Sequence, residues 1–397
     1  MSTELTKRTI STGLGLGAFS LLGGRAAADT PFSGFAFPAT GTTAPRKLPD
    51  RLAEIKNVKD FGATGDGVTD DWNAIQRAVN WTTGGNRGVI FFPLGTYRCT
   101  KPIIFNGRNK TTGIDGYPWN DSSDPGVNLS IIFQGCGLGS AVIGDHSDFV
   151  FLRDNGWPSA WGCHVKDLYI NGGLGAVRML GTNGGSITGV KTNSAPGFDV
   201  CGSAVQDFSG ACFNILVSHC QLQSGKSCYG IAMSTGAINC CTIQGYEHGI
   251  RLGGPGGTVT GCRTEVNDIG VMVGKDGYGN DWQASGFVVN GLQTESCNLA
   301  GIQVSDGSGG LIAGSVITAN IGPPNAPAEC LRGLYMHGSR WVSVVGTIVS
   351  GRYSVAGIDA QCLGADSYIS TLSVNSGAGS NWLPEPGKYS LFSTNHP

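Results

Sequence analysis

The sequence predicts an all-β solenoid, a chain that coils into stacked turns of short strands. A hydrophobic–any–hydrophobic phrase recurs eight times, and a glycine directly precedes it in seven of the copies. Successive phrases start 21, 33, 19, 21, 31, 32 and 24 residues apart. This period, with alternating strands inside it, is typical of solenoids, whose equivalent positions stack about 4.8 Å apart. The phrases are Val177–Met179, Phe198–Val200, Ile231–Met233, Ile250–Leu252, Val271–Val273, Ile302–Val304, Leu334–Met336 and Ile358–Ala360.

Composition restricts the fold classes and the kinds of partner that we expect for this chain. Glycine accounts for 65 of the 397 residues, whereas only 14% of residues are charged and the formal net charge is −2. Because the chain carries no basic stripe, we expect no nucleic-acid partner. A hydrophobic content of 40% is ample for one core. We therefore expect a single solenoid domain over residues 51–397, since solenoids grow by adding turns.

The N-terminus has the features of an export signal, predicted over residues 1–28. A short basic pair, Lys7-Arg8, precedes the apolar run 10–22, which is too short to span a bilayer, and Ala26-Ala27-Ala28 provides a cleavage site. The polar stretch 29–50 is predicted as a linker. We expect a secreted or periplasmic protein that has no membrane contact once the signal is removed.

Residues 57–105 are predicted to form an N-terminal cap module. A strand and a glycine-rich turn lead into an amphipathic helix that Asp70 or Asp71 begins as N-cap. A solenoid leaves an open sheet edge at its end, and a helix laid across that edge blocks association. The residues that form the apolar face of the helix are Trp72, Ile75, Ala78 and Val79.

Three of the 13 cysteines are predicted to serve packing. Cys220, Cys241 and Cys262 are spaced by 21 and 21 residues, and each sits in the predicted strand before a repeat phrase. This register indicates a stack that faces the core, where a free cysteine behaves as a small hydrophobe. Zinc sites usually need close pairs of the Cys-x-x-Cys type, and the chain has none.

The cap module resembles the start of pectate-lyase-like β-helix proteins. Residues 58–71, Val-Lys-Asp-Phe-Gly-Ala-Thr-Gly-Asp-Gly-Val-Thr-Asp-Asp, match the opening motif of that superfamily, and residues 88–97 match the strand that follows it. The superfamily includes rhamnogalacturonases, polygalacturonases, pectate lyases, uronan epimerases and phage tailspike depolymerases. The resemblance implies a right-handed parallel β-helix with an N-terminal capping α-helix and work on carbohydrates. Residues 376–397 are predicted as a C-terminal tail.

The middle residue of each phrase is expected to face outward, because its two hydrophobic neighbours face the core. Arg178, Asp199, Arg251, Gln303 and Tyr335 then belong to one outward column, and His337 belongs to the next. Such a mixed polar column suits an extended sugar-binding face, and a solvated sheet face is the alternative. Trp282, in a predicted loop at 274–286, is a further candidate for stacking on sugar.

Four acidic residues are the candidates for catalysis. Glu247 and Asp268 stand three residues before successive phrases, and Glu265 and Glu295 are equivalent positions in Thr-Glu pairs. Crowded carboxylates cannot all ionise without cost, and a neutral acid beside an ionised carboxylate is the equipment of a glycosidase. Two alternatives stay open: these acids satisfy backbone N–H groups at turns, or they bind calcium.

Three functions follow from these patterns. The first is an exported glycoside hydrolase that acts on a polysaccharide and needs no cofactor. The second is a polysaccharide lyase that acts on uronic acids, in which calcium could neutralise the substrate carboxylate. The third is a carbohydrate-binding solenoid without turnover. His248 lies in a stretch similar to the Gly-His-Gly-Ile of polygalacturonases, but the other motifs of that family are absent. A homotrimer is left open.

Overall fold

The computed structural model divides into two units, residues 1–53 and 54–397. In the first unit, Ala36–Pro38 pairs antiparallel with Pro45–Lys47, inside the stretch predicted as a linker. The predicted signal peptide lies outside the described residues. The structure describes residues 36–38, 43–47, 50–51, 54–83, 88–105, 131–153, 160–194, 196–200, 212–274, 284–319, 330–351, 353–361, 367–376, 382–384 and 389–391.

The second unit is a parallel β-helix whose turns each pass through three sheet faces, here named A, B and C. Face A comprises Ile55–Asn57, Gly88–Phe91, Ser186–Thr188, Ile215–Ser218, Gly236–Asn239, Thr258–Thr260, Val288–Asn290, Leu311–Ala313 and Tyr389–Leu391. Face B comprises Asp66–Asp70, Gly95–Cys99, Lys191–Thr192, Arg263–Glu265, Gln293–Glu295 and Val316–Thr318. Face C comprises Ile103–Ile104, Phe149–Arg153, Gly175–Met179, Phe198–Val200, Ile269–Gly274, Ala300–Ser305, Cys330–His337, Tyr353–Gln361 and Trp382–Pro384.

Longer strands continue around a corner and belong to two faces. Faces A and B share Ile131–Gly144, Cys163–Gly172, Ser343–Gly351 and Ser367–Ser376, and faces B and C share Gln221–Met233 and Thr242–Leu252. A small side ladder pairs Ala160–Trp161 with Thr182–Asn183. One full turn of the coil is called a rung below.

The eight repeat phrases all lie on face C, and each pairs with the next in the predicted register. The first residue of each phrase is the Cα partner of the first residue of the following phrase, from Val177 with Phe198 to Leu334 with Ile358. The first and third residues of every phrase are buried in one continuous core. The predicted parallel β-helix is therefore confirmed.

Single residues in the left-handed backbone region turn the chain at its corners. Cys240 (φ 53°) and Gly261 (φ 59°) stand between faces A and B on successive rungs. The residue after each of them points inward, which places Cys220, Cys241 and Cys262 in a buried column, each about 1% exposed. The predicted inward stack is confirmed, and the cysteines within the described segments are free thiols.

The helix Trp72–Thr83, α1, follows the short 3-10 helix Val58–Phe61 and covers the first rung. Its predicted apolar face packs into the core, where Ile75, Ala78 and Val79 are fully buried. The Asp71 carbonyl accepts the first helical hydrogen bond from Ile75, and its carboxylate accepts hydrogen bonds from the Thr64 and Gly65 amides. The aspartates of the opening motif therefore join the turn to the helix. No helix in the described segments is long and apolar enough to cross a bilayer.

Candidate active site

An open cleft of about 400 Å³ lies at the corner between faces B and C. Two left-handed residues on adjacent rungs, Gly245 (φ 78°) and Val266 (φ 51°), turn the chain here. The corner brings the outward end of face B beside the start of face C, so polar side chains from both faces converge. The cleft is lined by Gln223, Ser224, Gly225, Gln244, Gly245, Tyr246, Glu247, Val266 and Asp268.

Glu247 and Asp268 occupy equivalent positions on the two rungs that form the cleft. Their successors, His248 and Ile269, are Cα partners, and the Asp268 amide donates to the Tyr246 carbonyl at 3.0 Å. Adjacent parallel strands place equivalent backbone atoms about 4.8 Å apart. The predicted juxtaposition of these two acids is confirmed, and both carboxylates border one cavity.

The cleft floor is held by two asparagines on the neighbouring rungs. The fully buried Asn267 accepts from the Tyr246 amide at 2.8 Å and donates to the Ile243 carbonyl at 3.2 Å. The Asn298 amide donates to Asp268 Oδ1 at 2.7 Å, which fixes the orientation of that carboxylate. The corner is thus a pre-organised site, because buried backbone groups are paired before any ligand arrives.

Val266 is a strained residue at the edge of the cleft. A β-branched side chain at φ 51° is a steric outlier that costs on the order of 1–3 kcal/mol. Its side chain is also 53% exposed, so burial offers little compensation. The same left-handed conformation recurs at other corners, for example at Ser296 (φ 54°) on the next rung, so it follows from the geometry of the coil, and at Val266 it also borders the cavity.

Glu265 and Glu295 form a separate pair on face B. They are Cα partners, and Gln244 is the partner of Glu265 on the preceding rung. Arg263 forms ion pairs with both carboxylates, at 3.0 Å to Glu295 and more closely to Glu265. The expected set of four acids is therefore divided in two: one pair borders the cleft and the other is engaged by an arginine.

The predicted outward column of face C is continuous, but several of its positions are buried. The register runs Arg178, Asp199, Ala232, Arg251, Met272, Gln303, Tyr335, Asp359. Asp199 is 2% exposed and Arg251 is 6% exposed, so the expectation of an open face is wrong at these positions. Charged groups are seldom buried unless they are paired, which indicates that specific partners determine this surface.

Arg178 and Asp199 form the best-defined pair of this column. Arg178 Nε donates to Asp199 Oδ2 at 2.9 Å, and its guanidinium lies 4.2 Å from the ring centre of Phe149. Burial lowers the pKa of Arg178, but Asp199 and Tyr229 outweigh this effect and raise it. The guanidinium is therefore a permanent cation in a half-buried setting.

Polar residues of the next two rungs lie between the Arg178–Asp199 pair and the cleft. Burial raises the pKa of the Cys228 thiol, and the charges of Glu247, Asp199 and Arg251 all act on it. Tyr229 and His248 are Cα partners, and His248 is buried. A band of Arg, Asp, Tyr, Cys, Glu and His therefore runs from face C to the cleft.

Sequence reasoning missed Gln223, Cys228 and Tyr229 and assigned no role to His248. The strand Gln221–Met233 has register shifts against Thr242–Leu252, so counting back from the phrase misaligns its residues. A signal was nevertheless present: Tyr229-Gly230 and His248-Gly249 place a polar ring directly before the glycine of successive phrases.

The remaining predicted binding residues lie further along face C. Gln303 and Tyr335 follow Arg251 in the column, and His337 lies beside Tyr335 with ring centres 6.3 Å apart. Trp282 lies outside the described residues. Within the described ranges, no group of three or more His, Cys, Asp and Glu side chains is placed to hold a metal ion.

Comparison with known proteins supports the fold. Residues 55–124 match the family model described as rhamnogalacturonase A/epimerase, pectate lyase-like. A glucan 1,3-beta-glucosidase of Cochliobolus carbonum is 45% identical over 61 residues, which are 13% of this chain and 8% of that protein. The chain spans less than a tenth of the length of the first curated relatives that it matches.

Two solved structures share the architecture over most of their length. The A-module of the mannuronan C-5 epimerase AlgE6 from Azotobacter vinelandii has a TM-score of 0.60 at 15% identity, covering 86% of this chain and 99% of that one. A mutant tailspike protein of E. coli bacteriophage HK620 has a TM-score of 0.64 at 13% identity, covering 93% and 70%. The chain therefore has the parallel β-helix fold, and its N-terminal cap module matches the pectate-lyase-like family model.

Proposed function

We propose that the chain is a polysaccharide-acting enzyme that hydrolyses glycosidic bonds with Glu247 and Asp268 as its two carboxylates. One observation carries the proposal: both acids border a single open cleft at equivalent positions of adjacent rungs. Two carboxyl groups that flank one bond are the usual equipment of glycoside hydrolysis. The glucosidase relative adds support at the level of the reaction class.

The surroundings of the two acids suggest their roles. Asp268 is oriented by the Asn298 amide, which suits the carboxylate that attacks the sugar or activates water. Glu247, on the other side of the same cavity, would be the partner that exchanges a proton with the leaving oxygen. The Gln223 and Gln244 side chains line the same cavity and would hold sugar hydroxyls through their amides.

A panel of neutral and acidic polysaccharides tests this proposal when three signals are read together. Hydrolysis releases reducing ends alone, elimination adds the ultraviolet absorbance of a new double bond, and epimerisation exchanges a C5 proton with solvent deuterium. We expect reducing ends without the other two signals. Binding without any of the three would instead indicate a carbohydrate-binding solenoid.

A second candidate function rests on the band of polar residues beside the cleft. Elimination or epimerisation of a uronic acid needs a cation for the carboxylate and a base for the C5 proton. Arg251 and Arg178 are the candidate cations in this band. Tyr229 and His248, which are Cα partners on adjacent rungs, are the candidate bases. The fold shared with a mannuronan epimerase module is compatible with this reaction. Deuterium exchange lost in His248→Gln but retained in Glu265→Gln would favour it over hydrolysis.

We also propose export of the chain through residues 1–28. A fusion of this segment to a reporter should direct the reporter out of the cytoplasm, and Lys7→Glu with Arg8→Glu should retain it there. Assembly as a homotrimer is a separate proposal, which the mass of the purified chain in solution decides.

A further inference from the structure

Three buried thiols stack at the corner between faces A and B. Cys220, Cys241 and Cys262, here called the thiol column, lie on three successive rungs, and each is about 1% exposed. The Thr242 amide donates to the Cys220 carbonyl at 2.9 Å, and the Arg263 amide donates to the Cys241 carbonyl at 2.8 Å, so the three cysteines occupy equivalent positions. Equivalent Cα atoms of adjacent parallel strands lie about 4.8 Å apart. This spacing falls within the range of roughly 4.4–6.8 Å that a disulfide spans.

The thiols of the column point the same way, and the middle one contacts both of its neighbours. Cys241 Sγ lies 3.8 Å from the Val217 carbonyl oxygen, and Cys262 Sγ lies 3.5 Å from the Ile238 carbonyl oxygen, in each case on the preceding rung. The Cys241 amide donates to Cys262 Sγ at 3.5 Å, and the Cys241 thiol also hydrogen-bonds with that of Cys220. Cys220 and Cys262 are two rungs, or about 10 Å, apart. Any bridge within the column therefore includes Cys241.

Packing at this corner does not require cysteine. Val190 stands at the equivalent position one rung before the column and Leu292 one rung after it, and both are about 1% exposed. Ser315, on the rung after Leu292, is fully buried and donates its hydroxyl to the Ala313 carbonyl at 3.1 Å. Aliphatic side chains and a hydroxyl thus all fit this position, so three successive thiols add a chemistry that the shape of the corner does not demand.

The folded column is protected from oxidation. Disulfide formation needs a thiolate as the attacking group. Hydrogen bonding to Cys220 together with burial raises the pKa of the Cys241 thiol, and hydrogen bonding to Cys241 together with burial raises the pKa of the Cys262 thiol. Thiolates are therefore scarce in the column once the rungs have stacked, and a dissolved oxidant has no contact with them. A bridge has to form while the rungs close.

We infer that the thiol column is a disulfide site, in which Cys241 bridges to Cys220 or to Cys262 as the rungs close in an oxidising compartment. The oxidant is another disulfide, on a small molecule or a protein. One cysteine thiolate attacks a sulfur of this oxidant and releases its first thiol, and the neighbouring thiolate then attacks the mixed disulfide and releases the second. The two cysteines lose two protons and two electrons, and the oxidant is reduced to two thiols. The third cysteine stays reduced, and the cleft at the other corner takes no part.

Peptide mapping of the freshly folded chain tests this site. The chain is synthesised in a cell-free reaction that contains oxidised glutathione, and the soluble product is unfolded, alkylated at its free thiols and digested with trypsin without reductant. Lys226, Arg251 and Arg263 place the three cysteines in separate tryptic peptides, so each bridge gives a cross-linked pair with its own mass.

We expect a bridge in the wild type, in Cys220→Ser and in Cys262→Ser, because either neighbour of Cys241 suffices. Cys241→Ser should show none, and the buried hydroxyl of Ser315 indicates that serine is accepted at this corner. The matched control is Cys240→Asn, which removes an exposed cysteine from the same tryptic peptide and should keep the bridge. Asparagine tolerates the left-handed backbone of this position (φ 53°).

Chain synthesised in dithiothreitol and given oxidised glutathione only after folding should stay unbridged. Prompt bridging of that folded chain would overturn the requirement for open rungs. A folded wild-type chain from the oxidising reaction without a bridge in the column would overturn the disulfide site, and so would a bridge of unchanged yield in Cys241→Ser. Loss of the bridge in Cys240→Asn would also overturn it, because the exposed cysteine would then be the true partner.

Discussion

Two pairs of acidic residues lie on overlapping rungs, since Glu265 shares the rung of Asp268, and the pairs differ in what surrounds them. Glu265 and Glu295 on face B share Arg263, which forms an ion pair with each. Glu247 and Asp268 at the corner instead border a cavity of about 400 Å³, where Asp268 is positioned by a neutral amide. The stacking geometry of the two pairs is otherwise alike.

Two acids that stack on adjacent rungs of a solenoid therefore do not form a catalytic site by proximity alone. Parallel stacking brings any two equivalent side chains together, and an arginine two residues away in the same strand can convert such a pair into a surface ion-pair network. A partly exposed pair of this kind contributes about 0–1 kcal/mol to stability. Open volume beside both acids, and the neutral amide that orients Asp268, distinguish the pair that we assign to catalysis.

The largest expected effect is on turnover. Asp268→Asn and Glu247→Gln should each lower polysaccharide cleavage by about 10²- to 10⁴-fold, because each removes an acid or base from the reaction. Glu265→Gln, on the rung of Asp268, and Glu295→Gln, on the next rung, are the matched controls and should change it less than threefold. Initial rates of reducing-end release measure all four.

Equal losses in the cleft pair and in the face B pair would end the distinction between them. Loss in the face B pair alone would move the active site to face B.

The next effect is on stability and concerns a third arrangement, a carboxylate fully engaged by one arginine. Asp199→Asn should leave the Arg178 guanidinium half-buried without its counter-ion and lower the free energy of unfolding by about 3 kcal/mol. Asp359→Asn should act similarly through Arg332. Urea denaturation followed by circular dichroism measures the change, and a loss below about 0.5 kcal/mol in both variants would contradict the structural role of these pairs.

A smaller effect tests the strain beside the cleft. Val266→Asn should raise the free energy of unfolding by about 1 kcal/mol, because asparagine tolerates the left-handed region that valine resists. Val345→Asn is the control, since Val345 is similarly exposed but lies in an extended strand, where valine is favoured. A gain in the control and none at Val266 would show that no strain is stored at the corner.

The smallest effect concerns the cap module, far from either acidic pair. Hydrogen bonds from the Val68 amide, the Thr69 hydroxyl and the Thr69 amide lower the pKa of Asp66 to about 2. A depressed pKa stabilises the folded module above about pH 4 and ceases to do so as the pH falls toward 2. Asp66→Asn should flatten this part of the acid unfolding curve, followed by the fluorescence of Trp72 and Trp81. An unchanged curve would contradict the assignment.

The fold was largely predictable because each turn of a solenoid repeats the same sequence pattern. Each phrase from Val177 to Ala360 carries the same alternation, and all seven successive pairings occur in the predicted register. The stack of Cys220, Cys241 and Cys262 followed from their spacing alone. The helix face of Ile75, Ala78 and Val79 followed from its period.

The site was only partly predictable, because its contacts cross between rungs of unequal length. Register placed Glu247 beside Asp268, but it could not show that Arg263 engages Glu265 and Glu295. The alternation of the phrase showed that Asp199 points away from the core. It did not show that Asp199 is nevertheless shielded from solvent, with 2% exposure. Tyr229 was missed because register shifts interrupt its strand, which period counting does not reveal.

Glu247 and Asp268 are proposed to work together in one catalytic step. A double-mutant cycle measures directly whether they do. Initial rates of polysaccharide cleavage are measured for Glu247→Gln, Asp268→Asn and the variant that combines both. Groups that work in one catalytic step are strongly non-additive, so the account predicts that the combined variant is no slower than about threefold below the slower single variant. Losses that multiply would show that the two carboxylates act independently and would contradict the account.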